Sequence, residues 1–373
     1  MLDSLFVRNF RLFKSLEIER LSRVNLIVGK NNSGKSCFLE AIKIYLSNAL
    51  PNVLFEIINQ RNEFWEFGLQ EEGQDIRDYE NPLRHLFFGY KFPDINTEGI
   101  RMGTLGKFPK PALHICTKFY EIISLENGQL KLEIRKYRGL PSPNFIETGM
   151  ALEVLYNGTL INRLPLIKPS KMSLLTIGSS LLPTQNIKFI PARGTSDFKI
   201  SLLWDNINLT DLEDEVIRSL RLINKDIKAI ALIDNKRDGS NQRVAIARLE
   251  NSSERIPLES IGDGIAHIFD LILALTNAKD GTLLVDEFEN GLHWSILPKV
   301  WNTIFRLAER LNVQVFATTH SRDCIRGFKQ VWEQNESLGS FHRLDPDLEN
   351  GAKSVSYSLE TLSDALDMDV EVR

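Results

Sequence analysis

Cysteine is scarce in this 373-residue chain: only Cys37, Cys116 and Cys324 occur, far apart and odd in number. They offer neither a disulfide framework nor a metal-ligand spacing, and they point to a reduced, cytoplasmic protein. Long hydrophobic runs are missing too. No segment approaches the roughly 20 apolar residues of a membrane span. The opening MLDSLFVRNFRLF carries charges inside its apolar stretch, unlike a signal peptide. A basic excess is also absent, since 45 Lys and Arg face 49 Asp and Glu, for a formal net charge of −4. That balance does not advertise nucleic acid as a partner, although a local basic face remains possible. There is no internal repeat, low-complexity tract or flexible linker. What remains is an ordinary globular composition, 43% hydrophobic and 25% charged. The length suits two or three domains of roughly 100–200 residues, or one domain with a large insertion.

The local patterns are richer. SLFVRNF and SLEIERL alternate as half-buried antiparallel strands do, whereas VNLIV (24–28) is apolar throughout, as in a strand covered on both faces. In KSCFLEAIKIYLSNAL, Phe38, Leu39, Ile42 and Leu46 recur at helical spacing, with Pro51 expected to close the helix. Asn127-Gly128 and Asn157-Gly158 each sit between strand-like runs, as in tight hairpins. A further hairpin is expected in KAIALIDNKRDGSNQRVAIARL, after a helix opened by a Thr210–Glu213 capping box. The fold class predicted is α/β: a P-loop core from 1–50 and 255–373 with an N-terminal antiparallel β-subdomain. Residues 51–254 are expected to form an inserted helical and β-hairpin lobe whose strands pair back to the core.

Four motifs carry chemistry. Gly29-Lys30-Asn31-Asn32-Ser33-Gly34-Lys35-Ser36 fits G-x-x-x-x-G-K-[ST], with a strand before it and a helix after it. Its glycines let the backbone curl so that successive N–H groups face phosphate oxygens. Lys35 is then expected to reach the β- and γ-phosphates of ATP, and the Ser36 hydroxyl to ligate Mg²⁺. LLVDEFENG (283–291) is an apolar strand ending in acids, where Asp286 would contact Mg²⁺ and Glu287 would orient and deprotonate the attacking water. VQVFATTHS (313–321) ends in His320, placed to sense the γ-phosphate if its strand neighbours that of Asp286. Ser260-Ile261-Gly262-Asp263-Gly264 opens the apolar helix GIAHIFDLILAL, a second potential anion site or a simple cap.

In this order the motifs resemble the ATP-binding-cassette ATPases of the SMC, RecF and OLD branch, and within it the stand-alone OLD-like AAA-type ATPases. The likeness rests on FVRNFRLFKSLEIERLSRVNLIVGKNNSGKS, LESIGDGI, LLVDEFENGLH and FATTHSRD. It implies a head-to-tail homodimer or higher oligomer with ATP sandwiched between copies. Ser260, Gly262 and Gly264 of one copy would complete the site around Lys35, Asp286, Glu287 and His320 of the other. Asn290 through His293 would cross the seam. SIGDG in place of LSGGQ argues against a transporter. The glutamine that usually adds a Mg²⁺ contact is either Gln60 or Gln70. Arg193, in IPARG, could approach the nucleotide or be a surface residue.

OLD-family nucleases add a TOPRIM domain whose metal is held by a Glu and an Asp-x-Asp pair. Only about fifty residues follow His320, short of a typical ~100-residue fold. Asp345-Pro346-Asp347 spells the acid pair, but RLDPDLENGAKSVSYS reads better as a turn between strands. The resemblance therefore implies an ATPase switch or scaffold subunit of a bacterial anti-phage complex of the PARIS or Septu kind, with a TOPRIM-like or HNH nuclease supplied in trans. The alternatives are a RecF- or SMC-like repair ATPase acting on DNA, and a nucleotide-gated scaffold with negligible turnover. The best basic stretch for DNA runs from Arg218 to Arg248 and includes Arg221, Lys225, Lys228, Lys236, Arg237 and Arg243.

Overall fold

The computed structural model describes residues 1–63, 81–93, 98–106, 113–124, 130–134, 145–166, 184–234, 243–250 and 254–372. Asn127-Gly128, Gln70, Lys236 and Arg237 lie outside the described residues. In chain order the strands open with β1 (Leu5–Phe10), β2 (Phe13–Ile18), β3 (Val24–Val28) and β4 (Ile100–Gly103). There follow β5 (Leu113–Ser124), β6 (Leu130–Ile134), β7 (Phe145–Tyr156), β8 (Thr159–Pro165) and β9 (Ile187–Ile190). The last are β10 (Ile227–Asp234), β11 (Arg243–Leu249), β12 (Arg255–Pro257), β13 (Thr282–Val285), β14 (Gln314–Thr318), β15 (Gly339–Asp347) and β16 (Gly351–Tyr357). The helices are α1 (Lys35–Leu46), α2 (Pro51–Gln60), α3 (Asp197–Asp205), α4 (Asp211–Ile223), α5 (Leu258–Ile261), α6 (Asp263–Asn277), α7 (Leu297–Arg310), α8 (Arg322–Trp332) and α9 (Leu359–Asp367).

The α/β expectation holds. An antiparallel sheet runs β2-β1-β4-β5-β7-β8, with β6 on β5, and a core sheet runs β16-β15-β3-β14-β13-β9. A small β10-β11-β12 sheet completes the set among the described residues. In the core sheet β9, β13, β14, β3 and β15 are mutually parallel, so their C-terminal ends share one edge. Strands from the 51–254 block are divided: β4 to β8 extend the β1-β2 sheet, whereas β9 joins the core beside β13.

The apolar runs are buried on both faces. Leu26, Val28, Leu283, Val285, Val315 and Ala317 pack into one cluster with α6, α7 and α8. Their neighbours Ile27, Leu284 and Phe316 face a second cluster that includes Phe38, Leu39 and Ile42 of α1 and the β1-β2 hairpin. Each such side chain contributes roughly 1.5–3 kcal/mol by leaving water, so the strands that carry the site are anchored from above and below. A buried ion network fixes α1 laterally: Glu40 pairs with Arg11 at 2.6 Å and accepts from Arg61 at 2.6 Å, and Arg11 reaches Glu63 at 2.8 Å.

Several local readings change. Pro51 does not close α1, which ends at Leu46 before a turn with Asn48 and Ala49 at positive φ; it opens α2, where its missing N–H costs nothing. The Thr210–Glu213 cap is shifted, because Glu213 accepts from Leu209 N–H at 2.7 Å while Thr210 accepts from Leu212 N–H. RLDPDLENGAKSVSYS holds a turn between two paired strands, as expected, with Asp345-Pro346-Asp347 forming the end of β15. The turn follows, with Asp347 Oδ1 accepting from the N–H groups of Glu349 and Asn350, and Asp345 pairs with Arg343 at 2.9 Å. Asn157-Gly158 is a tight hairpin turn with positive φ at both residues, as expected. Among the described residues no helix is long and apolar enough to cross a membrane.

Candidate nucleotide site

The loop after β3 is shaped by backbone conformations that few residues tolerate. Gly29, Asn32 and Gly34 have φ of 150°, 64° and 98°. A Cβ on Gly29 would lie 2.4 Å from Ser33 Oγ and 2.5 Å from the Leu344 carbonyl oxygen, so the loop cannot curl this tightly with any side chain there. Ser33 N–H donates to the Lys30 carbonyl at 3.2 Å, closing the turn over Asn31 and Asn32. Gly34 starts α1 without a side-chain cap, which leaves the first N–H groups of the helix directed at the loop mouth. The Ser33 hydroxyl is buried without a hydrogen-bond partner among the described residues, a spare donor within the same loop.

Lys35 folds back across this loop, its Nζ donating to the carbonyls of Gly29 at 2.7 Å and Lys30 at 3.0 Å. Burial lowers its pKa, while Asp286, Glu287 and Glu289 oppose that shift. The ammonium thus faces three carboxylates. Ser36, one residue on, donates to Asp286 Oδ2 at 2.8 Å. Asp286 follows β13, whose register with β14 and β9 (Val285 opposite Ala317 and Ile190) sets the depth of the site.

Thr318 locks the acidic pair, and the sequence reading did not single it out. Its hydroxyl donates to Asp286 Oδ1 at 2.6 Å and accepts from Glu287 N–H at 2.9 Å, while its carbonyl accepts from Phe288 N–H at 2.9 Å. Glu287 sits at φ 54°, a conformation such a clamp must hold in a non-glycine residue. Its carboxylate makes no hydrogen bond or ion pair among the described residues. We expect Thr318→Val to cost about 1–3 kcal/mol of stability, since two partly buried partners lose their hydrogen bonds, with Thr318→Ser restoring most of it. Urea unfolding followed by tryptophan fluorescence measures this; a valine variant as stable as the parent would show the clamp to be inert.

His320 lies two residues beyond β14, its side chain about half exposed. The ring Nδ1 is 3.3 Å from Glu289 Oε1, and the same oxygen accepts from the His320 backbone N–H at 3.1 Å. Glu289 is the second residue that sequence reasoning missed; its signal was the third acid of DEFE. Asn290 donates to the Ala192 carbonyl at 2.6 Å, which ties this turn to the Pro191–Gly194 turn carrying the exposed Arg193.

The Ser260 segment differs in detail from the expectation. Ser260 lies within the one-turn helix α5, and Gly262, at φ 145°, caps the separate helix α6. Ser260 is exposed, and no hydrogen bond or ion pair joins Ser260, Gly262 or Gly264 to the P-loop among the described residues. Instead the segment abuts the acidic turn: a Cβ on Gly264 would be 3.0 Å from the Gly291 carbonyl oxygen, and His267 Nε2 lies 3.2 Å from the Phe288 carbonyl oxygen. Gln60 spends its amide on Glu56 Oε1 at 3.1 Å.

The donor set suits Mg²⁺. No cluster of three or more His, Cys, Asp or Glu that could hold a metal exists among the described residues. One carboxylate and one hydroxyl from facing elements, with phosphate and water oxygens filling the rest, is the arrangement this ion favours. Ser36 and Asp286 meet that description, and the carboxylate surplus around Lys35 is what a divalent cation would offset.

Two family descriptions match the chain. Residues 1–127 match "AAA ATPase domain", and residues 179–323 match "AAA domain, putative AbiEii toxin, Type IV TA system". The first stretch carries Lys35 and Ser36, and the second carries Asp286, Glu287 and His320. An "ATP/GTP phosphatase" of Helicobacter pylori is 25% identical over 357 residues, 90% of each protein. An uncharacterized protein of Methanocaldococcus jannaschii is 43% identical over 47 residues, 13% of this chain and 22% of that one. Among solved structures the chain is similar to an SMC head bound to the C-winged helix domain of ScpA (TM-score 0.48, 15% identity, 97% and 99% coverage). It is also similar to the SMC head domain from Thermotoga maritima (TM-score 0.42, 15% identity, 96% and 99% coverage).

Proposed function

We propose that this chain binds ATP with Mg²⁺ and hydrolyses it slowly, in a head-to-tail pair that acts as the switch subunit of a bacterial anti-phage complex. The observation that carries the hydrolytic part is the convergence of Lys35, Ser36, Asp286, Glu287 and His320 at one edge of three adjacent parallel strands. In this reading Lys35 releases the Gly29 and Lys30 carbonyls and turns to the β- and γ-phosphates. Mg²⁺ held by Ser36 and Asp286 would offset charge on those phosphates. Glu287, with its carboxylate unengaged and its backbone clamped by Thr318, orients water and takes its proton. His320 leaves Glu289 to meet the γ-phosphate. The phosphatase name of the Helicobacter relative supports turnover.

Pairing is supported by the exposed Ser260 turn, which rests on the Gly291 turn beside the acids and presents its donors outward. Ser260→Arg is expected to leave ATP affinity within about threefold of the parent while abolishing an ATP-dependent doubling of mass in light scattering. A parent that stays monomeric with bound ATP would remove the pair from this reading. The defence role rests on the OLD-like resemblance and accords with the toxin–antitoxin wording of the family matched at 179–323. A TOPRIM-like or HNH nuclease encoded beside this chain, with cleavage that depends on ATP binding here, would support it. A nuclease indifferent to this chain would exclude it.

Against the DNA-repair alternative, part of the basic stretch is engaged within the chain: Arg221 donates to the Ile227 and Lys228 carbonyls, Lys228 pairs with Glu250, Arg218 with Glu215 and Arg243 with Asp205. The three ion pairs lower the charge those residues offer to phosphates.

A further inference from the structure

We propose that the cavity between α1, β9 and α3 is a second anion site, distinct from the P-loop, that takes a small phosphate-bearing molecule. The cavity has a volume of about 330 Å³. Three lysines line it, one from each of those elements: Lys43, Lys188 and Lys199. A single acid, Glu56, is among the lining residues, and it is shared by Lys43 at 2.7 Å and Lys199 at 3.1 Å. Two positive charges are therefore left over.

Lys188 has no acidic partner among the described residues. It is half-buried, and burial together with Lys199 pushes its pKa below the usual lysine value. Lys43 is more confined still: its side chain is only 8% exposed and its ammonium lies 5.0 Å from the centre of the Phe189 ring. Keeping three ammonium groups around one cavity costs Coulomb energy that a bound dianion would recover. Lysine ammoniums act as point charges for phosphate. The Thr195 hydroxyl adds a neutral donor, and the apolar wall of Leu202 and Leu203 leaves room for an organic group.

The site is separate from the nucleotide loop. Lys43 lies eight residues along α1 from Lys35, or about 12 Å at 1.5 Å per residue. Yet the two sites share both walls, since α1 carries Ser36 and the Ile190 carbonyl at the end of β9 accepts from Asp286 N–H at 2.9 Å. A structural explanation competes with binding: β9 is an edge strand, and lysine there discourages strand addition. That role needs no anion affinity, which makes the two separable.

The test is calorimetric titration of inorganic pyrophosphate into three proteins. Lys35→Ala, which disables the P-loop, should still bind one pyrophosphate. Adding Lys188→Ala and Lys199→Ala to it should weaken that binding by about tenfold or more. The Lys188→Ala/Lys199→Ala protein with Lys35 intact should keep the parent's ATP affinity, which shows that it folds. Loss of all pyrophosphate binding in a folded Lys35→Ala protein overturns the proposal, and so does binding that is unchanged without the two lysines. Neither result depends on whether the P-loop hydrolyses ATP.

Discussion

Lys35→Ala is expected to weaken ATP binding by about 100-fold or more. The lysine supplies charge-assisted hydrogen bonds worth about 1.5–3 kcal/mol each, and two of them to phosphate oxygens amount to two or more decades in affinity. The other charged side chains that act on Lys35 are Asp286, Glu287 and Glu289, all of which would repel a triphosphate. The present partners of Lys35 are backbone carbonyls of Gly29 and Lys30, so its removal leaves two acceptors near solvent instead of an orphaned buried charge. The variant should therefore fold, which thermal unfolding checks. Displacement of a fluorescent ATP analogue reads the affinity. Parent-like binding would detach this loop from nucleotide.

Glu287→Gln is the counterpart: ATP should bind within about threefold of the parent while phosphate release falls by about 100- to 10,000-fold. The amide matches the carboxylate in size, and the strained backbone at φ 54° is held by Thr318 through the main-chain N–H, which the substitution leaves alone. What changes is basicity. An amide cannot take the proton of an attacking water. Parent-like turnover would move the base to Glu289, the neighbouring acid now bound to His320. Glu289→Gln would then be the variant that stops release, and a pair of assays with the two glutamine variants separates the assignments.

Much of the site was legible because its chemistry depends on short-range spacing. The glycine loop, the DEFE acids and His320 each follow an apolar strand, and a parallel sheet brings such strand ends to one edge. Thr318 and Glu289 were not legible. A threonine at a strand end looks like any small polar residue until the register places it opposite the acids, and the third acid of DEFE has no distinguishing context within the chain. The Ser260 segment shows a similar limit, because the sequence indicated a helix start but not the one-turn helix before Gly262. Pro51 misled for a related reason: proline opens a helix as readily as it closes one, and the choice depends on where its neighbours pack.

By itself, then, the order of residues determined the α/β class, the buried strands and the loop and acids that follow them, because periodicity and glycine spacing act over a few residues at a time. The tertiary structure alone decided that β9 enters the core sheet beside β13, that Thr318 clamps Asp286 and Glu287, and that three lysines from α1, β9 and α3 surround one cavity. Those arrangements join residues tens to hundreds of positions apart, and only the packing of one layer on another brings them within hydrogen-bonding or Coulomb range.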